Sequence, residues 1–454
     1  MSEWFEAEQH VERAHEHYEA GRWEEAESEL RRALAMNPRQ GEWQFNLGLT
    51  LDAAGRHEEA AAAFRFAADL TPEDINPPLL AGLSHLRLGD AAAAIEWFER
   101  AERVDPANPA SYIHRIEGYA TLGQHDQAEV MFYMVQQIDP GAVDAYVAMA
   151  DSLLERGLQD KAVWCLREAA KLDADAPGVQ ARLAEVYAAT GRHERARQLY
   201  LRELRRDPGD IETLLDLGSL LVQMNRFVEA GEKFRRVLEI EPDNADAHFE
   251  LGDLAERIGH IDEAVTQFDV VLRLDPDYAG ARPRLAGAML RRRRPSDRDD
   301  AAALLRRELA QFRADPGDFA ADELEQFGLL LLEVGSSADA ERVFQSLVAA
   351  RPEDARAHHL LSVAMFESGR RIPGMDEARA ALRLDKAFVP AMHNMAMACI
   401  GDHQWRRARY WLRQARRLDP DDASLRRLTL SLRLRAVLEG ASLVYCFLAR
   451  RRPR

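Results

Sequence analysis

Histidine and carboxylate residues are the groups in this sequence that could support catalysis or bind a metal. The fourteen histidines are scattered, and His57-Glu58-Glu59 begins like the H-E-x-x-H zinc motif but lacks its second histidine. The neighbouring His358 and His359 cannot point the same way on a helix, which argues against a shared metal site. The sequence also lacks the usual phosphate-binding and serine-nucleophile motifs. It therefore predicts a protein that is not an enzyme and that holds no cofactor or metal.

Composition favours a helical protein in a reducing compartment. Ala, Leu, Arg and Glu dominate, which are strong helix formers, and 47% of the residues are apolar, enough for a continuous core. The N-terminus lacks a signal-peptide pattern, and the apolar run from Ala441 to Ala449 is too short to span a membrane. Cys165, Cys399 and Cys446 form no C-x-x-C pair. These features predict a cytoplasmic location, and few Lys beside many Arg and Ala indicate a GC-rich, bacterial genome.

The net charge of −17 is unevenly distributed. Residues 1–150 hold 11 basic and 27 acidic residues, a balance of −16, whereas residues 401–454 hold 14 arginines and 5 acids, a balance of +9. Phosphate contacts need a basic face, so the acidic body excludes nucleic acid as a ligand along most of the chain. The opposite charges of the two ends make head-to-tail self-association electrostatically favourable.

A polar residue followed by proline recurs with a period of 34 residues. From Pro38 to Pro276 every interval is 34 residues or twice 34; the interval then becomes 40 at Pro316 and 36 at Pro352, and the period of 34 returns by Pro420, which gives twelve units. Such a period predicts repeated supersecondary units that stack on their neighbours.

Other positions keep the same period. A small residue stands 24 positions before the proline mark in nearly every unit; Ile116 is the clear exception among the regular units, and the slipped ninth unit aligns Ala286 there. Glycine stands 17 before the mark in nine units, and Asn225 replaces it in the seventh. Glycine ends a first helix, proline follows a second, and small residues let the two helices approach while a larger residue fills the gap. The shared large position holds Phe64, Phe98, Phe132, Phe234, Phe268 and Phe344.

The period, the small positions and the closing Asp-Pro resemble the tetratricopeptide repeat family. Asn46-Leu47-Gly48 and Trp23-Glu24-Glu25-Ala26 are similar to its consensus, and the resemblance covers about residues 7–420. It implies an all-α, right-handed superhelical solenoid of antiparallel helix–turn–helix repeats whose first helices line a concave groove. The Lys and Asn clamp for a chaperone carboxylate and the Asn ladder of the O-linked sugar transferases have no counterpart here, so those two kinds of partner are disfavoured.

An irregular ninth unit predicts where the array divides. The expected parts are 1–278 with eight regular repeats, 279–422 with four repeats, and 423–454 with a capping helix and a basic tail. Pro283 fits the first turn of a shortened helix, and the arginine run Arg291–Arg294 is either a solvated loop or a basic docking element. Segment 443–454 is either a second capping helix or an apolar and basic anchor for a partner or an anionic membrane.

Two stripes on the first helices are predicted to face the groove. The apolar stripe, in units two and three, contains Phe45, Leu49, Leu79, Leu83 and Leu86. It marks a binding site unless packing between units covers it. The acidic stripe, in units four to eight, contains Glu117, Asp151, Glu185 and Asp253. It favours a basic or amphipathic segment unless it is only a solvated face.

These features together predict a non-catalytic scaffold that binds a segment of a partner protein or a peptide in its groove. Two alternatives remain at this point, a self-assembling structural protein and an accessory subunit of a separate enzyme or assembly machine.

Overall fold

The structure, a computed structural model, describes residues 3–432, and all the regular structure in that range is helical. Contacts divide the chain into two compact units, with the boundary between Asn225 and Arg226. Each unit is a succession of antiparallel helix pairs, in which every helix packs on its chain neighbours. The predicted all-α solenoid class is therefore confirmed, while the divisions expected at residues 278 and 422 stay predictions.

The first unit contains thirteen helices. In chain order they are α1 (Glu3–Glu19), α2 (Trp23–Met36), α3 (Gly41–Ala53), α4 (His57–Leu70), α5 (Asn76–Arg87), α6 (Ala91–Val104), α7 (Ala110–Thr121), α8 (His125–Ile138), α9 (Val143–Glu155), α10 (Gln159–Leu172), α11 (Val179–Ala189), α12 (His193–Arg206) and α13 (Ile211–Gln223). Odd numbers are the first helices of the repeats and even numbers are the second helices. First helices also contact the next first helix, as α7 does α9.

The second unit begins with a second helix and continues the alternation. Its helices are α14 (Phe227–Ile240), α15 (Ala245–Ile258), α16 (Ile261–Leu274), α17 (Ala281–Arg292), α18 (Asp297–Ala314), α19 (Ala321–Val334), α20 (Ser337–Ala350), α21 (Ala355–Glu367), α22 (Arg371–Leu384), α23 (Val389–Gly401) and α24 (Trp405–Leu418). A 3₁₀ turn at Pro316–Asp318 precedes α19.

The turn between the two helices of a pair always contains one residue in the left-handed conformation. Nine of these turns use glycine, as predicted, and Asn225 takes the same conformation with a φ of 58°. Arg293 and His403 complete the set with φ values of 60° and 57°. A residue with a Cβ is strained there by about 1 kcal/mol, so these two turns must be held by their surroundings.

Small and large residues are matched within most helix pairs. A Cβ on Gly82 or on Gly328 would lie 2.4 Å from a ring carbon of Phe98 or of Phe344, and both rings are fully buried. Gly48 with Phe64 and Gly252 with Phe268 repeat this arrangement. In three other pairs alanine stands at the small position and leucine at the large one: Ala14 and Leu30, Ala150 and Leu166, and Ala396 and Leu412, all buried. In these three pairs the larger small residue is offset by the smaller large one, which keeps the packed volume similar. The sixth pair differs, because the buried Tyr200 stands opposite Ala184.

The proline that closes a repeat is tied to the next first helix. The side chain six positions after the proline reaches its carbonyl oxygen in five repeats, over 2.7 to 3.2 Å. The donors are Tyr112, His248, Arg282, His358 and Arg426. The proline lies just beyond the end of the second helix, where its own carbonyl has no intrahelical donor, and this bond satisfies that carbonyl.

In the ninth repeat the first helix has 12 residues and the second has 18. Pro283 lies in the first turn of α17, as predicted. Three arginines of the run form ion pairs: Arg291 contacts Glu256 of α15 at 2.8 Å, Arg292 contacts Asp297 at 2.6 Å, and Arg294 contacts an aspartate of α16. The pair of Arg292 holds the α17–α18 turn, and the other two join that turn to the preceding repeat.

Residues 423–432 are helical and close the described part of the chain. Leu425 and Leu432 are buried against the core around Leu412. The rest of the predicted capping helix and basic tail, with segment 443–454 and Cys446, lies outside the described residues.

Candidate partner-binding surface on the first helices

The apolar stripe is half-covered by packing. Phe45 and Leu49 on α3 are partly buried against the core of the first repeats, and the Phe45 ring lies 5.7 Å from that of Phe64. Leu49 also lines a cavity of about 200 Å³ with Val11 and Tyr18. These two side chains keep an accessible edge beside an apolar cavity that can receive another side chain.

The three leucines of the stripe on α5 differ in how far their side chains are exposed. Leu79 is only 9% exposed and belongs to the core with Phe98, so it is a packing residue. Leu83 and Leu86 are partly buried and pack against that core from outside. Packing between repeats therefore covers part of the predicted stripe and leaves part of it exposed.

Three acids of the second stripe lie on the first helices of consecutive repeats. Glu117 on α7, Asp151 on α9 and Glu185 on α11 follow one another along the first unit. Partial desolvation and the charge of Asp151 raise the pKa of Glu117. Desolvation and the charge of Glu185 likewise raise the pKa of Asp151, although Arg182 opposes them. The carboxylates are thus close enough to repel one another.

Arginines from the next repeat neutralise two of the predicted acids. Arg182 donates to Asp151 over 2.5 Å. In the second unit, Arg284 lies 3.3 Å from Asp253, whose side chain is 17% exposed. Asp253 belongs to the second unit, where its side chain is mostly covered and ion-paired.

Asp216 on α13 extends the acidic stripe of the first unit. The hydroxyl of Tyr200 donates to it over 3.4 Å. Burial, with the charges of Glu185 and Glu212, raises the pKa of Asp216 to about 6. We call Glu117, Asp151, Glu185 and Asp216 the acidic surface. Burial, with a smaller contribution from the neighbouring carboxylates, raises the pKa values of Glu117, Asp151 and Asp216 within it.

We expect Asp216 to make the protein less stable as the pH rises from about 4 to about 6. Its pKa of about 6 in the folded chain lies above the usual value of 3.8, so the folded state holds a proton that the unfolded state has released. Asp216→Asn cannot ionise and should remove part of the decline in the urea midpoint, followed by circular dichroism across this pH range. The exposed Glu24→Gln is the matched control, and equal slopes for wild type and Asp216→Asn would contradict the assignment.

A second recess lies in the second unit, around the irregular ninth repeat. A cavity of about 410 Å³ is walled by Phe249 and Tyr278 on one side and by Phe319 and Phe327 on the other, with Arg284 at its edge. These aromatic residues were not predicted from the sequence. They lie on either side of Pro283, and the failure of the 34-residue period there was the sequence feature that could have indicated them.

The model of the tetratricopeptide repeat family matches residues 11–75, 79–143, 147–211, 215–279 and 326–387. These segments cover well over half of the chain. The chain belongs to the tetratricopeptide repeat family. The unmatched stretch between residues 279 and 326 contains the irregular ninth repeat.

Two curated relatives share part of this tetratricopeptide repeat array. Anaphase-promoting complex subunit 3 of Schizosaccharomyces pombe is 25% identical over 116 residues, which are 26% of this chain and 17% of that protein. Cytochrome c-type biogenesis protein CycH of Rhizobium meliloti is 29% identical over 137 residues, which are 23% of this chain and 36% of that protein. The chain thus matches well under two thirds of the length of either relative.

A solved thermophilic TPR protein of Thermus thermophilus is 24% identical and has a TM-score of 0.37. The match covers 40% of this chain and all of that one.

Two further features of the tetratricopeptide repeat protein concern other ligands. Within residues 3–432, none of the helices has both the length and the apolar character of a membrane span. In the same range, no three His, Cys, Asp or Glu side chains converge as metal ligands do. His358 and His359 form hydrogen bonds with different side chains, His358 with Glu377 at 2.6 Å and His359 with Asn394 at 3.3 Å.

Proposed function

We propose that this protein is a non-catalytic, cytoplasmic scaffold whose first-helix surface binds a basic, extended or amphipathic segment of a partner protein. The placement of Glu117, Asp151 and Glu185 on the first helices of consecutive repeats, with Asp216 after them, is the observation that supports this proposal most strongly. Burial and, after it, neighbouring carboxylates raise the pKa values of Glu117, Asp151 and Asp216, and cationic side chains placed there would stabilise the charged carboxylates.

The apolar side chains supply anchors for the same kind of ligand. Phe45, Leu49, Leu83 and Leu86 are partly exposed on α3 and α5, earlier in the same unit. An amphipathic segment that places apolar residues there and basic residues on the acidic surface would satisfy both. Anaphase-promoting complex subunit 3 is by its name a part of a protein complex, which supports a role in protein association for this chain also.

A labelled amphipathic peptide of Leu and Lys, about 18 residues long so that it can form a helix, tests the proposal. We expect the triple change Glu117→Gln, Glu185→Gln and Asp216→Asn to weaken its binding about tenfold in fluorescence anisotropy at low salt, because three attractive charges are lost. Added salt should weaken the wild-type complex as well.

The control removes the same charge from second helices, through Glu24→Gln, Glu58→Gln and Glu96→Gln, which are exposed on α2, α4 and α6. Equal loss of affinity in the two triple variants would show that net charge alone attracts the peptide. That result would remove the acidic surface as the binding site.

A further inference from the structure

The fourth helix pair departs from the small-and-large match of the other repeats. Ile116 stands on α7 where Gly48, Gly82 or Gly328 stands elsewhere, and it is fully buried. The space that a phenylalanine ring fills in those repeats is therefore already occupied. Phe132 on α8, at the large position, is instead partly exposed and packs edge to face on Tyr146 at 5.2 Å.

The displaced ring lies in an apolar region on the outer side of the second helices. Tyr133 is 67% exposed, and Val130 and Trp164 are each 54% exposed. Trp164 lies on α10, and its ring is 6.2 Å from that of Tyr146. We call Val130, Phe132, Tyr133, Met134 and Trp164 the outer aromatic patch. Exposed Tyr and Trp close together are typical of sites that bind another protein.

The neighbouring second helices show that this patch is not ordinary surface. On α6, one repeat earlier, the positions that correspond to Val130, Tyr133 and Met134 are occupied by charged residues. They are Glu96, Glu99 and Arg100. On α10, one repeat later, the positions of Tyr133 and Met134 again hold charges, Arg167 and Glu168. Charged residues therefore solvate the outer face of α6 and, apart from Trp164, these positions of α10, but not those of α8.

A cavity of about 210 Å³ opens beside the patch. It is lined by Phe132, Tyr133, Met149, Leu153, Trp164 and Cys165 among others. Burial raises the pKa of the Cys165 thiol to about 11, so this thiol is a packing group and not a nucleophile. The cavity is large enough for one apolar side chain of a partner.

The charges around the patch favour an acidic neighbour. Lys161 at the cavity and Arg167 on the same face of α10 are exposed and form no ion pair with any residue in 3–432. The nearby acids are already satisfied: Glu129 by Arg156 at 3.1 Å and Glu168 by Lys171 at 2.5 Å. Asp126 and Asp160 lie in the first turns of α8 and α10, where the helix dipole stabilises them.

We propose that the outer aromatic patch binds an amphipathic helix of a partner protein, with one large apolar side chain in the cavity and a carboxylate near Lys161 and Arg167. This ligand has the opposite charge to the one proposed for the acidic surface. The chain would thus bind two different proteins, one on each side of its helix pairs.

Two synthetic helical peptides with the same Leu and Trp face, one with a Glu-rich and one with a Lys-rich polar face, serve as probes. We expect the Glu peptide to bind wild type and to bind Tyr133→Ser/Trp164→Ser about tenfold or more weakly. Lys161→Glu/Arg167→Glu should also weaken it. Phe66→Ser is the matched control, because Phe66 is 55% exposed on α4 and occupies the position of Met134 two repeats earlier.

The triple change on the acidic surface should leave the Glu peptide unaffected, which separates this test from that of the proposed function. Unchanged helicity must accompany each variant, and Tyr133→Arg alone replaces the double variant if that one does not fold. Failure of the Glu peptide to bind, or equal binding to wild type and variant, would overturn the proposal. Concentration-dependent dimerisation that Tyr133→Ser/Trp164→Ser abolishes would overturn it in favour of a second copy of the chain.

Discussion

Arg282→Met is expected to lower the free energy of unfolding by about 3–4 kcal/mol at neutral pH, because it leaves a buried carboxylate without its cation. The side chains of Arg282 and Glu308 are 10% and 7% exposed, and they lie 3.2 Å apart. Arg282 also donates to Gln311 at 3.0 Å and to the carbonyl of Pro276 at 2.7 Å. The loss should appear in urea unfolding followed by circular dichroism.

The pH dependence of this loss identifies its cause. Burial already raises the pKa of Glu308, and Arg282 opposes that rise. Without Arg282 the pKa of Glu308 rises further above its value in the unfolded chain, so the variant should regain stability relative to wild type as the pH falls. Adding Glu308→Gln should restore about half of the loss at neutral pH. A loss that is independent of pH and of Glu308→Gln would assign the effect to the Pro276 carbonyl and not to the ion pair.

Gly328→Ala is expected to destabilise the protein by about 2 kcal/mol, although alanine is the better helix former. The new Cβ would lie 2.4 Å from the buried ring of Phe344. Overpacking of this kind costs up to about 3 kcal/mol, and the helix propensity of alanine returns about 1 kcal/mol. The change in the free energy of unfolding, measured in urea, decides between the two effects.

A second substitution should reverse this loss. Phe344→Leu alone leaves a cavity and should cost about 1 kcal/mol. Combined with Gly328→Ala it recreates the Ala150 and Leu166 match, so the double variant should be more stable than Gly328→Ala alone. Gly287→Ala on α17 is the control, because its Cβ would meet only a leucine methyl group at 3.5 Å. Additive effects in the double variant would contradict the volume match.

The helix pairs could be predicted from the sequence because their determinants are residue types that recur every 34 positions. Glycine ends the first helix and proline follows the second, and these two residues act through their own backbone. The turn at Asn225 followed from the same reasoning, since Asn tolerates a positive φ. Arg293 takes this conformation without any such preference, and only the structure shows it.

The hydrogen bond to the proline carbonyl could not be found as a pattern. Tyr112, His248 and Arg282 share no chemistry beyond a long side chain that can donate a hydrogen bond. Their equivalence is a matter of position and reach, which composition at one position does not reveal.

The candidate site was predicted in part for a similar reason. Glu117, Asp151 and Glu185 were found because identical charges recur at one position. The neutralisation of Asp151 was missed because its partner is Arg182, 31 residues later and on another repeat. The outer aromatic patch was not predicted. The sequence nevertheless indicated an irregular fourth pair, because the large residue Ile116 stands at a position that is small in the other regular repeats.

The match between Gly328 and Phe344 lies within one helix pair, and this has a genetic consequence. Unequal crossing-over that duplicates or deletes a whole repeat carries the glycine and its phenylalanine together, so the interior of every daughter protein stays filled. The ion pairs of Asp151 with Arg182 and of Asp253 with Arg284 join successive repeats, and the same event would separate the partners. Arrays of this kind can therefore change length without loss of their cores, while each change of length alters the surface charges that are available to a binding partner.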